Sequence, residues 1–181
     1  VLGPEQSGQI AAVGFDLYTK LLEEAVMKLK GESVEEEVDP ALDLKVSAFI
    51  PESYVTDPAH RLGIYKRLSA ARSGEELADL ADELSDRFGP PPEPALKLIQ
   101  VMEIKTLARA AKAAAVQLMP AEVKIIFSDK VDISPDRLIA FLGKRRGVAR
   151  YVPQYTLFIK KPRGGWDALH GVIKNSLKEL L

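Results

Sequence analysis

Apolar residues recur at three- and four-residue steps along most of this chain, the spacing that lines one side of an α-helix. Residues 1–12 read as a loop. From Val13, the series Phe15, Leu17, Tyr18, Leu21, Leu22, Ala25, Val26 and Leu29 predicts a helix to Lys30, with Gly31 as its stop. Asp57-Pro58 joins a capping carboxylate to a proline suited to a first turn. A helix is predicted from there to about Arg72, with Leu62, Tyr65 and Leu68 inward and Arg61, Lys66, Arg67 and Arg72 outward. Ser73 and Glu76 have the spacing of a capping box, and the helix they open should end at Phe88, before Gly89 and three prolines. An Ala-rich helix follows from Glu93 to about Ala115, another from Ser134-Pro135 through Leu142, and a last amphipathic one from Trp166 to Leu181.

Alternation of apolar and polar residues marks the strands. In LDLKVSAFIP, Leu42, Leu44, Val46, Ala48 and Ile50 share one face and Pro51 ends the run; EVKIIF and YTLFIKK are the other candidates. Several helices packed on a small, mainly antiparallel sheet, preceded by a long N-terminal helix, make an α+β fold. The acidic stretch ESVEEEVDPA, residues 32–41, reads as a solvated connector, so the chain divides into 1–40 and 41–181. The sequence carries no internal repeat.

Composition narrows the function classes. Over 181 residues, 46% hydrophobic content supports a real core, and 28% charged residues balance to a formal net charge of -1. That balance supplies no global attraction to nucleic acid or membrane. The sequence contains no cysteine, which excludes disulfides and cysteine-based zinc sites. No apolar run approaches the ~20 residues of a membrane span. No signal-peptide pattern precedes the first helix, and a cytoplasmic setting is expected. Enzyme signatures are missing too. Gly143-Lys144 stands outside any phosphate-binding loop pattern, and there is no G-x-S-x-G elbow. The two histidines, His60 and His170, lie far apart, and neither has the H-x-x-x-H spacing of a metal site. His60 belongs to the first turn of its helix. No catalytic residue, metal or cofactor is expected in this chain.

Two charge clusters remain. On the helix from Ser73 to Phe88, a step of about 100° per residue places Leu77, Leu80, Ala81, Leu84 and Phe88 in one buried arc. Glu76, Asp79, Glu83 and Asp86 gather on the far side with Arg87 beside them. Such a face is either a solvated surface laced with local pairs or a docking surface. In the second reading Arg87 grips a carboxylate while Glu83 and Asp86 accept from basic residues opposite. The second cluster spans 137–163: Arg137, Lys144, Arg145, Arg146, Arg150, Lys160, Lys161 and Arg163, with Tyr151 and Tyr155 interleaved and Asp136 nearby. It reads either as helix-terminal cations plus a lysine-guarded strand edge, or as a nucleic-acid-binding patch.

Two stretches carry a family resemblance. LG-x-EQSG-x-I-x-x-VGFDLY-x-x-LLEEAV, which includes Gln6, Ser7 and Gly8, resembles the end of the RecG-like translocation motif of the bacterial transcription-repair coupling factor. YVTDPAHRLGIYKRLSAARSGEELADLADELSDRFGPPP, with its R-L-x-x-Y-K-R and E-L-x-D-R-F-G elements, is similar to the C-terminal domain of the same family. Gln9 stands where that family usually has His, and Pro4 stiffens the loop. The resemblance implies that an ATP- and Mg-dependent motor precedes Val1, and that 41–181 is a regulatory domain without chemistry of its own. It further implies a full-length protein that translocates on double-stranded DNA, displaces stalled RNA polymerase and recruits UvrA. The C-terminal domain would pack on an N-terminal UvrB-like module of the same protein and hide the UvrA-binding surface. The family's clamp contacts map onto Glu83, Asp86 and Arg87, which favours docking for that face.

Overall fold

The computed structural model describes residues 39–129, 131 and 133–181. The helix expected over Val13–Lys30, most of the acidic connector, and Gln6, Ser7 and Gly8 lie outside the described residues. At the connector's end Asp39, its side chain 71% exposed, pairs with Lys105 at 2.8 Å and Arg109 at 3.2 Å.

Among the described residues five strands form one sheet: β1 (Ala41–Asp43), β2 (Ala113–Leu118), β3 (Glu122–Phe127), β4 (Ala149–Val152) and β5 (Thr156–Lys160), in the order β1-β2-β3-β5-β4. β1 runs parallel to β2 and every other pairing is antiparallel, so the α+β architecture is as expected. Register aligns Val123 and Ile125 of β3 with Ile159 and Leu157 of β5 and with Leu118 and Val116 of β2, making one apolar sheet face. Five helices accompany the sheet among the described residues: α1 (Pro58–Ala70), α2 (Gly74–Phe88), α3 (Glu93–Ala110), α4 (Pro135–Lys144) and α5 (Trp166–Leu180).

Two buried clusters result. The apolar sheet face packs with Ile104 and Ala108 of α3, Phe141 of α4 and Leu169, Ile173 and Leu177 of α5. The second cluster joins Ile64 and Leu68 of α1, Leu77, Leu80 and Leu84 of α2 and Ala95 and Leu98 of α3. α3 is therefore shared: its N-terminal half supports the α1–α2 hairpin and its C-terminal half supports the sheet.

Four expectations are corrected. The run Leu42–Ile50 is a strand only through Asp43; Lys45 turns left-handed at φ 51 and ends the pairing. Leu44 and Ile50 are buried all the same, Leu44 in the core beneath the sheet and Ile50 in the core of the helices, where Phe49 N–H donates to Pro94 O at 3.1 Å and Ile50 N–H to the Tyr65 hydroxyl at 2.8 Å. The alternation reports burial of an extended segment, not membership of a sheet. Leu62 is 56% exposed, and Ile64 takes the inward place. Arg61 folds in where it was expected outside, donating to Val55 O at 2.7 Å and Thr56 O at 3.0 Å. The Ala-rich helix stops at Ala110; Lys112 is left-handed at φ 52 and Ala113–Leu118 becomes β2, a central strand whose Ala113 and Val116 are fully covered. Tertiary burial there overrides the helical propensity of alanine. β4 went unseen because its turn to β5 uses Gln154 (φ 69) and Tyr155 (φ 55) in the left-handed region without the glycine that usually marks such a turn.

Candidate docking face

α2 is fixed at both ends. The Ser73 side chain accepts from Glu76 N–H at 3.2 Å, and the Glu76 carboxylate reaches back to Arg72 N–H at 2.9 Å, one residue before the usual capping-box partner. At the other end Gly89, at φ 82, donates to Ser85 O at 2.9 Å. The Tyr54 hydroxyl lies 3.0 Å from Leu84 O and 2.8 Å from Gly89 O, and its ring meets Phe88 edge-on at 5.9 Å. With Leu77, Leu80 and Leu84 buried, rotation of the helix is set. Glu76, Asp79, Glu83 and Asp86, at steps of three, four and three, face outward, with Arg87 beside them.

The three residues singled out from the sequence all reach this outer face, but they are not equivalent. Glu83 Oε1 accepts from Arg67 Nη1 at 2.8 Å and from Arg87 Nη1 at 3.0 Å; its Oε2 accepts from Arg67 Nη2 at 2.6 Å. Arg67 comes from α1, across the hairpin. Its forked contact, with help from Arg87, pulls the Glu83 carboxyl from 4.5 to about 2. The same carboxylate raises the Arg67 guanidinium above its ordinary value. Arg87 also lies 5.1 Å from the Phe88 ring centroid, which steadies the guanidinium. Asp86 is exposed and makes no ion pair among the described residues. Arg67, Ala70, Ala71, Glu76, Asp79, Leu80 and Glu83 line a shallow open groove between α1 and α2. Arg67 was legible only as an outward base of its helix; its pairing with Glu83 depends on how α1 crosses α2.

Three of the eight cations of the basic stretch are engaged within the domain. Arg137 donates to the Leu181 carbonyl. Arg145 grips Glu179 at 2.8 and 2.7 Å and lies 4.1 Å over Phe141. Arg150 pairs with Glu122 at 3.0 Å and lies 3.9 Å over Phe158. Lys144, Arg146, Lys160, Lys161 and Arg163 remain exposed. Of the tyrosines, Tyr151 is half-buried and Tyr155 exposed.

A second polar cluster was not anticipated. His170 of α5, 8% exposed, places Nε2 2.9 Å from Glu103 Oε2 of α3, and Lys174 Nζ lies 2.8 Å from Glu103 Oε1. Trp166 stacks on His170 at 6.2 Å and its indole N–H donates to Gln100. His60, by contrast, is exposed beside its capping Asp57, 3.9 Å away. Among the described residues, no group of His, Cys, Asp and Glu side chains gathers to hold a metal ion, and no helix is long and apolar enough to cross a membrane.

Comparison with known proteins identifies relatives of this chain. The TRCF domain family matches residues 44–138, a span that contains both helices of the docking face. The transcription-repair-coupling factor of Myxococcus xanthus is 32% identical over 164 residues, covering 91% of this chain and 14% of that protein. That of Haemophilus influenzae is 37% identical over 158 residues, covering 83% of this chain and 14% of that protein. That of Mycobacterium tuberculosis is 42% identical over 139 residues, covering 66% and 11%. The chain thus spans about 14% of the length of the first two relatives. A crystal structure of the C-terminal domain of a transcription-repair coupling factor shares the fold, with a TM-score of 0.66 at 20% identity over 82% of this chain and 97% of that one.

Proposed function

The chain belongs to the family of transcription-repair-coupling factors, and from that premise we propose that it is a C-terminal regulatory domain that docks reversibly and catalyses nothing. The observation that carries this reading is the exposed face of α2. Its apolar stripe is sealed in the hairpin's own core, and its caps fix the rotation. Asp86 and Arg87 are then held outward on a rigid element, with no internal need for Asp86. A polar surface of that kind gives register and specificity without the affinity of an apolar interface.

The proposed partner is an N-terminal UvrB-like module of the same protein. In the closed state the domain covers that module's UvrA-binding surface. Engagement of RNA polymerase and double-stranded DNA by the motor, with its ATP and Mg, favours an open state in which the contact cannot form. Two states biased by ligands with different affinity for each suffice for the switch. This activity belongs in the cytoplasm, where those partners meet. The test is charge reversal in the full-length factor. Arg87→Glu should raise UvrA binding and ATP hydrolysis measured without polymerase; no rise in either refutes the proposal. A gel shift of the chain across a salt series examines the exposed lysines of the 137–163 stretch, since phosphate binding there would show a steep salt slope.

A further inference from the structure

We infer that Arg67, on the helix before the acidic ridge, is part of the docking surface, and that Glu83 acts as a positioning residue for Arg67 and Arg87 rather than as the group that meets the partner. This rests on the docking reading above and specifies its chemistry. A guanidinium carries about five N–H donors and a carboxylate about four acceptor positions. Arg67 commits two donors to Glu83 and Arg87 commits one, so three acceptor positions of Glu83 are filled. What the triad still offers outward is mostly N–H donors. Two guanidiniums and one carboxylate also leave it with a formal charge of +1. The ridge is therefore not uniformly acidic: a cationic centre sits between Asp79 and Asp86, one turn to either side of Glu83 on the same face.

Exposure agrees with that division of labour. The Arg67 and Arg87 side chains are 52% and 50% exposed, whereas Glu83, beneath them, is 35% exposed. The fork from Arg67 fixes the plane of the Glu83 carboxylate, and the carboxylate in turn holds Arg87 four residues along its own helix. Both guanidiniums are thus pre-oriented before any partner arrives, which lowers the ordering cost of binding. The surface that fits brings a carboxylate to the Arg67–Arg87 pair and basic side chains toward Asp79 and Asp86. We assign that complement to the UvrB-like module.

The two roles for Glu83 predict opposite signs. Were Glu83 to meet the partner directly, Arg67 would compete for it, and Arg67→Ala would tighten docking. In the arrangement inferred here, Arg67→Ala weakens docking roughly fivefold or more. Glu83→Gln weakens it as well, and adds little in the Arg67→Ala background because both act through one unit. Titration of this chain with the UvrB-like module of the same factor reads all three, with Arg87→Glu as reference and melting curves as the check on folding. Tightening, or no change, on Arg67→Ala beside a loss on Arg87→Glu overturns the inference and leaves the docking reading standing. No effect from either substitution overturns both. Arg67→Lys keeps the charge and the stem but not the fork, so it repeats the test should Arg67→Ala melt early: weaker binding supports the inference and unchanged binding overturns it.

Discussion

Two glutamates in this domain, Glu83 and Glu103, each hold two basic side chains, and they do different work. Glu83 is held by Arg67 and Arg87 on the outer face of the α1–α2 hairpin, with side chains 35%, 52% and 50% exposed. Glu103 is held by His170 and Lys174 between α3 and α5, with side chains 22%, 11% and 32% exposed. The contacts are alike in length, from 2.6 to 3.0 Å in the first and 2.8 to 2.9 Å in the second. Solvent is what separates them. At the hairpin, water competes for every donor, so the triad adds little to folding and is free to present groups outward. Between α3 and α5, loss of the carboxylate strands a buried imidazole and a half-buried ammonium, so the triad bolts the last helix to the shared one.

The sharpest break of this comparison is Glu103→Ala. It should cost about 2 kcal/mol, since a buried donor loses its acceptor. That corresponds to a melting temperature lower by roughly 4–8 °C for a chain of this size. Docking affinity at 25 °C should stay as it was, because Glu103 lies on neither α1 nor α2. A melting curve and a titration on the same sample decide the matter. Equal losses in both would mean that the two regions are coupled through α3 and that the contrast is false.

Acid separates the triads less strongly but more specifically. The Glu83 carboxyl is drawn from 4.5 to about 2, first by Arg67 and then by Arg87. A carboxyl whose pKa is depressed on folding contributes stability at pH above its unfolded value, and that contribution disappears as pH falls through the folded value. The advantage of wild type over Glu83→Gln should therefore be constant above about pH 5 and fade between 4.5 and about 2. Thermal melts of the two proteins at several pH values measure it. A difference that does not change over this window would show that Arg67 and Arg87 do not hold the carboxylate in solution. Glu103 is also depressed: burial acts against ionisation, but Lys174 and His170 outweigh it. It should lose its contribution in the same direction.

What could be read from the sequence divides along the same line as the two triads. Local rules placed α2 closely, because Ser73, Glu76 and Gly89 act through neighbours a few residues away and the leucine stripe needs only the helical period. They also put Glu83, Asp86 and Arg87 on the outer face. They could not pair Glu83 with Arg67, sixteen residues earlier, because that contact depends on the crossing of two helices. The same limit hid Glu103–His170, which spans sixty-seven residues. It also turned AAAVQL into a helix ending, since alanine's preference is local and the value of a small residue in a central strand is not. Leu62 and Arg61 exchanged places for a similar reason: one step around α1 decides which side chain meets the Val55–Thr56 segment, and the alkyl stem of Arg61 is admitted because the Val55 and Thr56 carbonyls satisfy its guanidinium.

Salt gives the smallest effect and the most selective one. Raising ionic strength from 0.1 M to 1 M shortens the screening length from about 10 Å to about 3 Å. An exposed triad feels this because ions reach its charges from the solvent side. The triad between α3 and α5, with side chains 22%, 11% and 32% exposed, feels it less, since protein covers most of its charged surface. The difference in melting temperature between wild type and Glu83→Gln should therefore shrink at high salt, while that between wild type and Glu103→Ala persists. On the docking proposal, affinity for the partner should weaken with salt too, through the same guanidiniums. If Arg67 and Arg87 are presented as a unit, the salt dependence of docking should flatten on removal of either arginine, and removing the second should change it little further. Independent flattening by each substitution would mean that the two arginines reach the partner separately, and that Glu83 does not join them.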